Sequence, residues 1–484
     1  MQFPNIFLFF IFYFSIGFSS ELIVPTPELP STFDPVKSLD VYSNSAIRQI
    51  HRSLFKLSSS GEPVPDIIED FNLDSSGKLY SFTISKLQFS DGTILSSMHV
   101  IKSLERALIN KVNGFQKFSC IKGFKTFLNK QKVTLDGLGH KSETSFSIVL
   151  DCKIPRLPYL LADLRYAIVK SEKYPDIGLG DFRIQDLEKL KKNTVELESI
   201  AKNSKLSKIV YLKSSISDSM DLLLDETKNV FVYSYNFSPK QKNRMEGKAK
   251  LFEMRSWTNY FIAVNSENIS NPNDRAYLLK TIDKETLVNN CYPGENADDN
   301  IFPYGFPGYI KGYQRKSERT SISPKRFNKR ITITIFNGVG QENCIKHYLE
   351  KKLGKEFFIE IVATDNGISK WVQKRTDIIV FFLESELNLD VSQFFSLDAE
   401  FFLGARNDNR TFKLIEKLNS SKDATEFRKL AVEFQNSILN QNLILPLFIP
   451  KTQIAFSQNL TMPELGMIPP TYLMFKDILM EKER

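Results

Sequence analysis

The sequence predicts an α/β protein with mixed sheets and more than one domain. A strand over residues 209–212, an amphipathic helix over 217–225 and a strand over 230–235 follow one another as β, α, β. This order favours a mixed or parallel sheet with helices on its faces. A chain of 484 residues exceeds one typical domain, so two or three domains are expected.

The composition is ordinary for a globular protein, with 42% hydrophobic and 25% charged residues. The net charge of +8 comes from 64 basic and 56 acidic residues, and the lysines are scattered. Because no basic arm carries interleaved aromatic residues, a nucleic-acid partner is not favoured. The densest basic segment, 311–330, is typical of a solvated loop, the alternative being a patch for an anionic partner.

The N-terminus predicts an exported protein. Residues 6–14 are almost wholly apolar, and Gly17-Phe18-Ser19 is a small-x-small cleavage site, although no Lys or Arg precedes the apolar run. The run is shorter than the about 20 residues that span a membrane. Because no cysteine lies near the cleavage site, a lipid anchor is not expected. We predict a signal peptide over 1–19, cleaved to leave an exported, soluble mature protein.

A strand, a turn and a capped helix are predicted over residues 78–108. Residues 80–84 alternate apolar and polar side chains, the period of a half-buried strand. Asp91-Gly92 supplies a turn, and Ser96 or Ser97 provides a helix cap. The apolar face of the helix consists of Met98, Ile101, Leu104 and Leu108.

Further elements follow along the chain by the same periodicity. Helices are predicted over 41–57, 157–170, 344–353 and 424–440. Strands are predicted over 331–336, 357–362 and 377–382, and a strand over 443–448 is expected to return to the first part of the fold. Gly178 and Gly180 form a G-x-G without a following helix, which excludes a dinucleotide fingerprint.

Several of these segments resemble one protein family. The residues F-S-D-G-T-I-L-S-S-M-H-V over 89–100, followed by S-L-E-R, resemble a segment shared by the bacterial family 5 extracellular solute-binding proteins. These are the oligopeptide-, dipeptide- and nickel-binding components of ABC importers. His99 stands where the family usually has an acid. The most specific match runs from Arg275 through Tyr309, and the resemblance extends from Thr32 to Phe456.

The resemblance implies a periplasmic-binding-protein type II fold, with two hinged lobes and an extra small subdomain in lobe 1. The expected boundaries are 20–44, 155–255 and 445–484 for lobe 1, 45–154 for its subdomain and 256–444 for lobe 2. Many family members carry W-x-x-D-Y-x-D-P, whose first Asp holds the peptide's amino group. That Asp corresponds to Glu386 here, but the Tyr, the second Asp and the Pro are absent.

Four residues are therefore candidates for ligand binding. Glu386 would hold a cationic end of the ligand, the alternative being an exposed loop acid. Trp257 and Tyr260 lie near the expected lobe crossing, and Phe306 lies in a Pro-rich loop. For these three aromatic residues, packing in the core is the alternative.

The four cysteines suit an oxidising compartment. Cys120 with Cys152 and Cys291 with Cys344 are candidate pairs, but four cysteines allow three pairings and buried free thiols are the alternative. The four histidines show no metal-ligand spacing, so neither a metal nor a cofactor is expected.

The function predicted from the resemblance is capture of a peptide or peptide-like solute in the periplasm and its delivery to an ABC permease in the inner membrane. A monomer is expected. An enzyme is not, because the chain lacks G-x-S-x-G and H-E-x-x-H motifs. The alternative is an exported sensor or interaction protein that kept the fold and lost transport, which the departures at Leu179, Asp181 and 385–389 favour.

Overall fold

The computed structural model describes residues 21–38, 40–59, 61–112, 114–154, 156–184, 193–201, 205–234, 237–304, 308–314, 327, 330–337, 339–384, 395, 402–421, 424–463 and 473–480. The strands within these residues are β1 (Glu21–Thr26), β2 (Phe55–Leu57), β3 (Pro63–Pro65), β4 (Ile68–Leu73), β5 (Leu79–Ile84), β6 (Leu138–Ser142), β7 (Ser145–Val149), β8 (Phe182–Ile184), β9 (Thr194–Ser199), β10 (Lys208–Lys213), β11 (Asn229–Ser234), β12 (Ala249–Arg255), β13 (Thr258–Val264), β14 (Ile331–Phe336), β15 (Phe357–Val362), β16 (Ile378–Glu384), β17 (Ile444–Phe448), β18 (Lys451–Ser457), β19 (Leu460–Thr461) and β20 (Leu479–Met480).

The helices are α1 (Val41–Ile50), α2 (Ser97–Ile109), α3 (Phe124–Leu128), α4 (Leu157–Leu160), α5 (Ile216–Leu223), α6 (Pro239–Met245), α7 (Pro272–Thr281), α8 (Lys284–Cys291), α9 (Glu342–Leu353), α10 (Thr364–Val372), α11 (Asn409–Asn419) and α12 (Ala424–Asn440). The predicted signal peptide lies outside the described residues.

A seven-stranded sheet has the order β12-β18-β11-β1-β10-β9-β8. Strand β1 is its centre and pairs in parallel with both β10 and β11, which are joined by α5. The other pairings are antiparallel. This confirms the mixed sheet that the β, α, β order predicts. Its core contains Leu22, Val24, Ile209, Tyr211 and Phe231.

A five-stranded sheet has the order β15-β14-β16-β13-β17. Strand β14 pairs in parallel with β15 and β16, whereas β13 runs antiparallel to its neighbours. The predicted strands over 331–336 and 357–362 and the helix over 424–440 are confirmed. Helices α8, α9 and α12 contribute to the core of this sheet through Leu287, Ile345 and Phe434.

A four-stranded antiparallel sheet, in the order β4-β5-β7-β6, has a separate hydrophobic core with α2. The predicted strand, turn and helix over 78–108 are confirmed in it, with Gly92 at a φ of +87° in the turn, but Met98 of the predicted apolar face is exposed. At the start of α2, the backbone N–H of Ser96 donates to Nδ1 of His99 at 3.1 Å. His99 therefore supplies the side-chain acceptor of a capping box at this helix start, and burial lowers its pKa, which favours the accepting form.

Two predicted helices are shorter than expected. Helix α1 ends at Ile50 rather than continuing to 57, and only residues 157–160 of the predicted helix over 157–170 are α-helical. Asp163 has an extended backbone, and its side chain accepts from the N–H of Arg165 in a short 3-10 helix over Leu164–Tyr166. Periodicity alone missed both interruptions because apolar residues continue at helical spacing beyond them.

The end of α1 is determined by the glycines at 178 and 180. The N–H of Gly180 donates to the carbonyl of Ile50 at 2.7 Å. A Cβ at Gly178 would lie 2.1 Å from the Ile50 oxygen, and one at Gly180 would lie 2.2 Å from the Gln49 oxygen. The G-x-G is therefore a close approach of two backbones that leaves no room for side chains.

The prediction for the strand over 443–448 is wrong in one respect. The sequence predicts that this strand returns to the first part of the fold, but β17 pairs with β13 inside the five-stranded sheet. The strand that returns is β18, which pairs with β11 and β12. Strand β17 is buried along its whole length, so other elements must cover both of its faces. The apolar sequence of the strand predicts this burial but not which elements provide it.

Both candidate cysteine pairs form disulfides. Cys120 bonds to Cys152 with a Cα–Cα distance of 5.0 Å, and Cys291 bonds to Cys344 with a distance of 5.6 Å. The second disulfide joins the end of α8 to α9. The alternative of free thiols is therefore wrong.

Candidate functional site

The chain passes twice between the seven-stranded and five-stranded sheets. The first crossing, at Ser256-Trp257, joins β12 to β13, and the second, at Ile449-Pro450, joins β17 to β18. The N–H of Ser256 donates to the Pro450 carbonyl at 2.8 Å, so the two crossings lie side by side. The carboxylate of Glu295 accepts from the N–H of Lys451 at 3.0 Å, just after the second crossing.

The carboxyl ends of parallel strands from both sheets meet at these crossings. In the seven-stranded sheet, β11 ends at Ser234, which pairs with Gln453, three residues past Pro450. In the five-stranded sheet, β16 ends at Glu384, which pairs with Thr258 next to the first crossing. Ligands of open α/β sheets bind outside the carboxyl ends of the strands. The space between these two sheet edges is therefore the candidate binding site.

On the seven-stranded side, the segment between β1 and α1 follows the central parallel strand. It is held by the N-terminus of α1, where the N–H of Ser31 donates to Oγ of Ser43 at 2.9 Å. The Asp40 carboxylate accepts from the N–H groups of Tyr42 and Ser43 and from two hydroxyls. Burial raises the pKa of Asp40, but these hydrogen bonds outweigh it and the pKa lies below its ordinary value.

On the five-stranded side, four aromatic rings form a group near the crossings. Tyr260 pairs in register with Phe382 on one side and Phe448 on the other. Its ring centroid lies 4.5 Å from that of Phe448, 5.8 Å from Phe382 and 5.5 Å from Tyr292. Burial raises the pKa of Tyr260 to about 12, with smaller contributions from Glu342 and Glu295. This part of the site is therefore apolar, with carboxylates nearby.

Tyr292 joins the aromatic group to the segment after β14. Its hydroxyl donates to the carbonyls of Val339 and Gly340 at 2.9 and 2.8 Å. Tyr292 follows Cys291 directly, so the disulfide to α9 holds the ring in place. The aromatic group is therefore linked to the segment that follows β14 at the carboxyl edge of this sheet.

The four predicted site residues have different outcomes. Tyr260 lies half-buried in the aromatic group. Trp257 is at the first crossing, as expected, but only 5% of it is exposed and it packs in the core of the five-stranded sheet. Glu386 and Phe306 lie outside the described residues. Ligand contact at all four positions stays a prediction.

The segments that flank Phe306 are anchored firmly. The side-chain amide of Asn259 donates to the carbonyls of Asn300 and Ile301 at 3.2 and 2.9 Å, and Gln435 accepts from the N–H of Ile301 at 2.6 Å. On the other side of Phe306, a Cβ at Gly308 would lie 2.6 Å from the ring of Phe302. These buried contacts tie residues 300–302 to β13 and α12.

Sequence reasoning missed Tyr292, Phe382 and Phe448. Phe382 is near the end of a strand that the sequence predicts, so the carboxyl-edge rule would have indicated it. Phe448 ends a strand that the sequence predicts correctly but places in the first part of the fold instead of beside β13. No sequence pattern indicates Tyr292, because its position depends on the disulfide and on two carbonyls far along the chain.

Within the part of the chain that the structure describes, no group of three or more His, Cys, Asp or Glu residues is arranged to hold a metal ion. Within it, too, no helix has both the length and the apolar character needed to cross a membrane.

Comparisons with known proteins agree with the fold. The murein tripeptide binding protein MppA of Escherichia coli is 14% identical, with a TM-score of 0.74 and coverage of 96% of this chain and 99% of that one. The substrate binding protein CtaP of Listeria monocytogenes is 13% identical, with a TM-score of 0.74 and coverage of 96% and 100%. The oligopeptide-binding protein AppA of Bacillus subtilis, solved with a nonapeptide, is 15% identical, with a TM-score of 0.70 and coverage of 96% and 99%.

These likenesses show the periplasmic-binding-protein type II fold. No curated protein sequence matches the chain. The profile of the family described as "Bacterial extracellular solute-binding proteins, family 5 Middle" matches residues 62–329, more than half of the 484. Members of this family are extracellular or periplasmic substrate-binding proteins of ABC importers and not enzymes. The chain therefore belongs to the family 5 extracellular solute-binding proteins.

Proposed function

We propose that this protein captures a peptide or peptide-like solute between two lobes and delivers it to an ABC import permease. Lobe 1 consists of the seven-stranded and four-stranded sheets, and lobe 2 consists of the five-stranded sheet with its helices. The observation that carries the proposal is the meeting of two carboxyl sheet edges at the paired crossings. The boundaries between the lobes are then Ser256-Trp257 and Ile449-Pro450.

The contacts that the solute makes when the two lobes close around it supply the binding energy. Expelling water lowers the local dielectric and strengthens each polar contact with the ligand. The closed form is populated only as far as the ligand binds it more tightly than the open form. A peptide suits this geometry because main-chain hydrogen bonds hold its backbone while tolerant pockets take its side chains.

The aromatic group favours a ligand with apolar or aromatic side chains near the crossings. Tyr260 offers a ring and a hydroxyl in a largely buried setting beside the ring of Tyr292, so stacking and polar contact can combine. Glu386 is the residue proposed to hold a cationic end. A hydrogen bond to a charged group contributes about 1.5–3 kcal/mol, so a ligand that lacks an amine would lose about 10- to 150-fold in affinity.

Native mass spectrometry of protein from its natural host tests the proposal. A co-purified ligand is expected, and peptide libraries should raise the melting temperature. A ligand at 100 times its Kd adds about 2.7 kcal/mol to the free energy of unfolding. Tyr260→Ala should remove this gain, whereas Phe358→Ala, at an exposed ring on edge strand β15, should keep it. A protein without ligand that no library stabilises would contradict the proposal.

A second candidate is an exported sensor or interaction protein that kept the fold. The departures at Leu179, Asp181 and 385–389 favour it, because they alter the family's G-T-G-P passage and its amine-binding motif. Uptake of a labelled ligand by cells separates the two. Loss of uptake on deleting this protein supports import, whereas unchanged uptake together with ligand binding supports the sensor.

A further inference from the structure

The two lobes are also in contact through residues that are distant in sequence from the two crossings. Helix α4 buries Leu157 and Leu160 in the core of the four-stranded sheet, while Tyr159 between them packs against the core of the five-stranded sheet. Leu57, on β2, packs against both cores. The small α4–β2 surface therefore lies between the subdomain of lobe 1 and lobe 2.

Arg156 connects the two sides of this surface. Its guanidinium carbon lies 4.6 Å from the ring centroid of Tyr159 and 4.4 Å from that of Phe427 on α12. The cation is therefore held against one ring from each lobe. The hydroxyl of Tyr159 donates to the carboxylate of Glu62, which fixes the first ring within lobe 1. Phe427 is only 6% exposed and packs near Phe302.

The direction of α12 places Phe427 at the end of lobe 2 where the two crossings lie. Strand β17 runs toward the second crossing, and α12 precedes it through a short turn at residues 441–443. The helix therefore runs back along the strand, and its 17 residues extend about 25 Å. Phe427, in its first turn, thus lies at the end of lobe 2 that faces lobe 1.

We propose that Arg156, Tyr159 and Phe427 form an interlobe latch that sets the balance between open and closed arrangements. Two crossings let the lobes rotate, and a third contact made only in some orientations biases which orientation is populated. A cation between aromatic rings suits this role because the contact is short-ranged and is lost when the rings separate. The link to closure rests on the proposed solute capture, but the latch itself acts without a ligand.

Distances between spin labels test the latch directly. Labels at Val133→Cys in lobe 1 and Val372→Cys in lobe 2 use exposed positions, and the native cysteines are all in disulfides. In ligand-free protein, Arg156→Ala and Phe427→Leu should each broaden the distance distribution and add longer distances. The ratio of long to short distances should change about 2- to 30-fold.

Two controls separate a latch from a general loss of packing. Arg330→Ala removes a cation from the ring of Phe358 within lobe 2 and should leave the distances unchanged. The double variant Arg156→Ala/Phe427→Leu should change the ratio by less than the product of the single changes, because the two residues act through one contact. A lower melting temperature with wild-type distances, or independent effects of the two changes, would overturn the latch. Since no ligand is present, a failure of solute capture would not affect this result.

Discussion

The guanidinium of Arg106 donates to the carboxylate of Asp34 at 2.5 Å, across 72 residues of chain. Both side chains are buried, with 8% and 5% of each residue exposed. Arg106 belongs to the S-L-E-R segment of α2, and Asp34 belongs to the segment that leads from β1 to α1. The ion pair therefore joins the subdomain to the segment that borders the candidate site.

Breaking this pair should destabilise the protein strongly. Asp34→Ala leaves a buried guanidinium without its partner carboxylate, so we expect the free energy of unfolding to fall by about 3–5 kcal/mol. Chemical denaturation monitored by circular dichroism measures the change. Asp34→Ala/Arg106→Leu should recover much of the loss, because it removes the charge as well. A double variant no more stable than Asp34→Ala would contradict this explanation.

The buried His51 should make stability depend on pH. Burial lowers its pKa from 6.5 to about 4, although Nε2 bonds to the carbonyl of Phe33. Between these values the unfolded chain binds the proton and the folded chain does not. Protonation of His51 therefore has no effect on the free energy of unfolding above about pH 6.5. As the pH decreases to 4, it lowers that free energy by about 3 kcal/mol.

Urea denaturation at pH 4, 5, 6 and 7 measures this dependence. His51→Gln keeps a donor for the Phe33 carbonyl but does not titrate, so its stability should fall less over the same range. The exposed His347→Gln serves as the control and should follow the wild type. Equal slopes for His51→Gln and wild type would show that His51 does not cause the pH dependence.

Position 180 requires glycine because a side chain there would collide with the backbone of α1, and not because its φ is positive. In Gly180→Ala the new Cβ would lie 2.2 Å from a backbone oxygen of α1, so the loop or the helix end must move. We expect a loss of about 3 kcal/mol or more, measured by thermal and chemical unfolding. At Gly92, with a φ of +87° and open space around it, an alanine should cost only about 1 kcal/mol. Equal losses at the two positions would contradict the contact argument.

The Cys291–Cys344 disulfide should stabilise lobe 2 and hold Tyr292 in the aromatic group. It closes a loop of 53 residues, for which we expect a contribution of about 4 kcal/mol in the chain-entropy account. Cys291→Ser/Cys344→Ser should lower the unfolding free energy and weaken ligand binding. Cys120→Ser/Cys152→Ser, in the subdomain, should lower stability but leave ligand affinity unchanged. Reversed effects on affinity would contradict the role assigned to Tyr292.

Much of the secondary structure is predictable because its pattern is local. The strand over 331–336 and the helix over 424–440 repeat apolar residues at the period of one element, so their bounds follow from the sequence. The end of α1 does not, because Gly178 and Gly180 reach it from more than 100 residues away. The sequence also does not determine the sheet to which β17 belongs. All five residues of this strand are buried, and a wholly apolar strand does not indicate which strand lies beside it.

The candidate site was only partly predictable for the same reason. Tyr260 follows from its place after the first crossing, whereas Tyr292 and Phe448 join it through pairing and a disulfide that link distant segments. By itself, the sequence determined the α/β class, the family and most element positions, since these depend on short-range periodicity and on motifs. Only the tertiary structure decided which sheet edges face each other and which rings meet there, because burial shows that a side chain is covered but not what covers it.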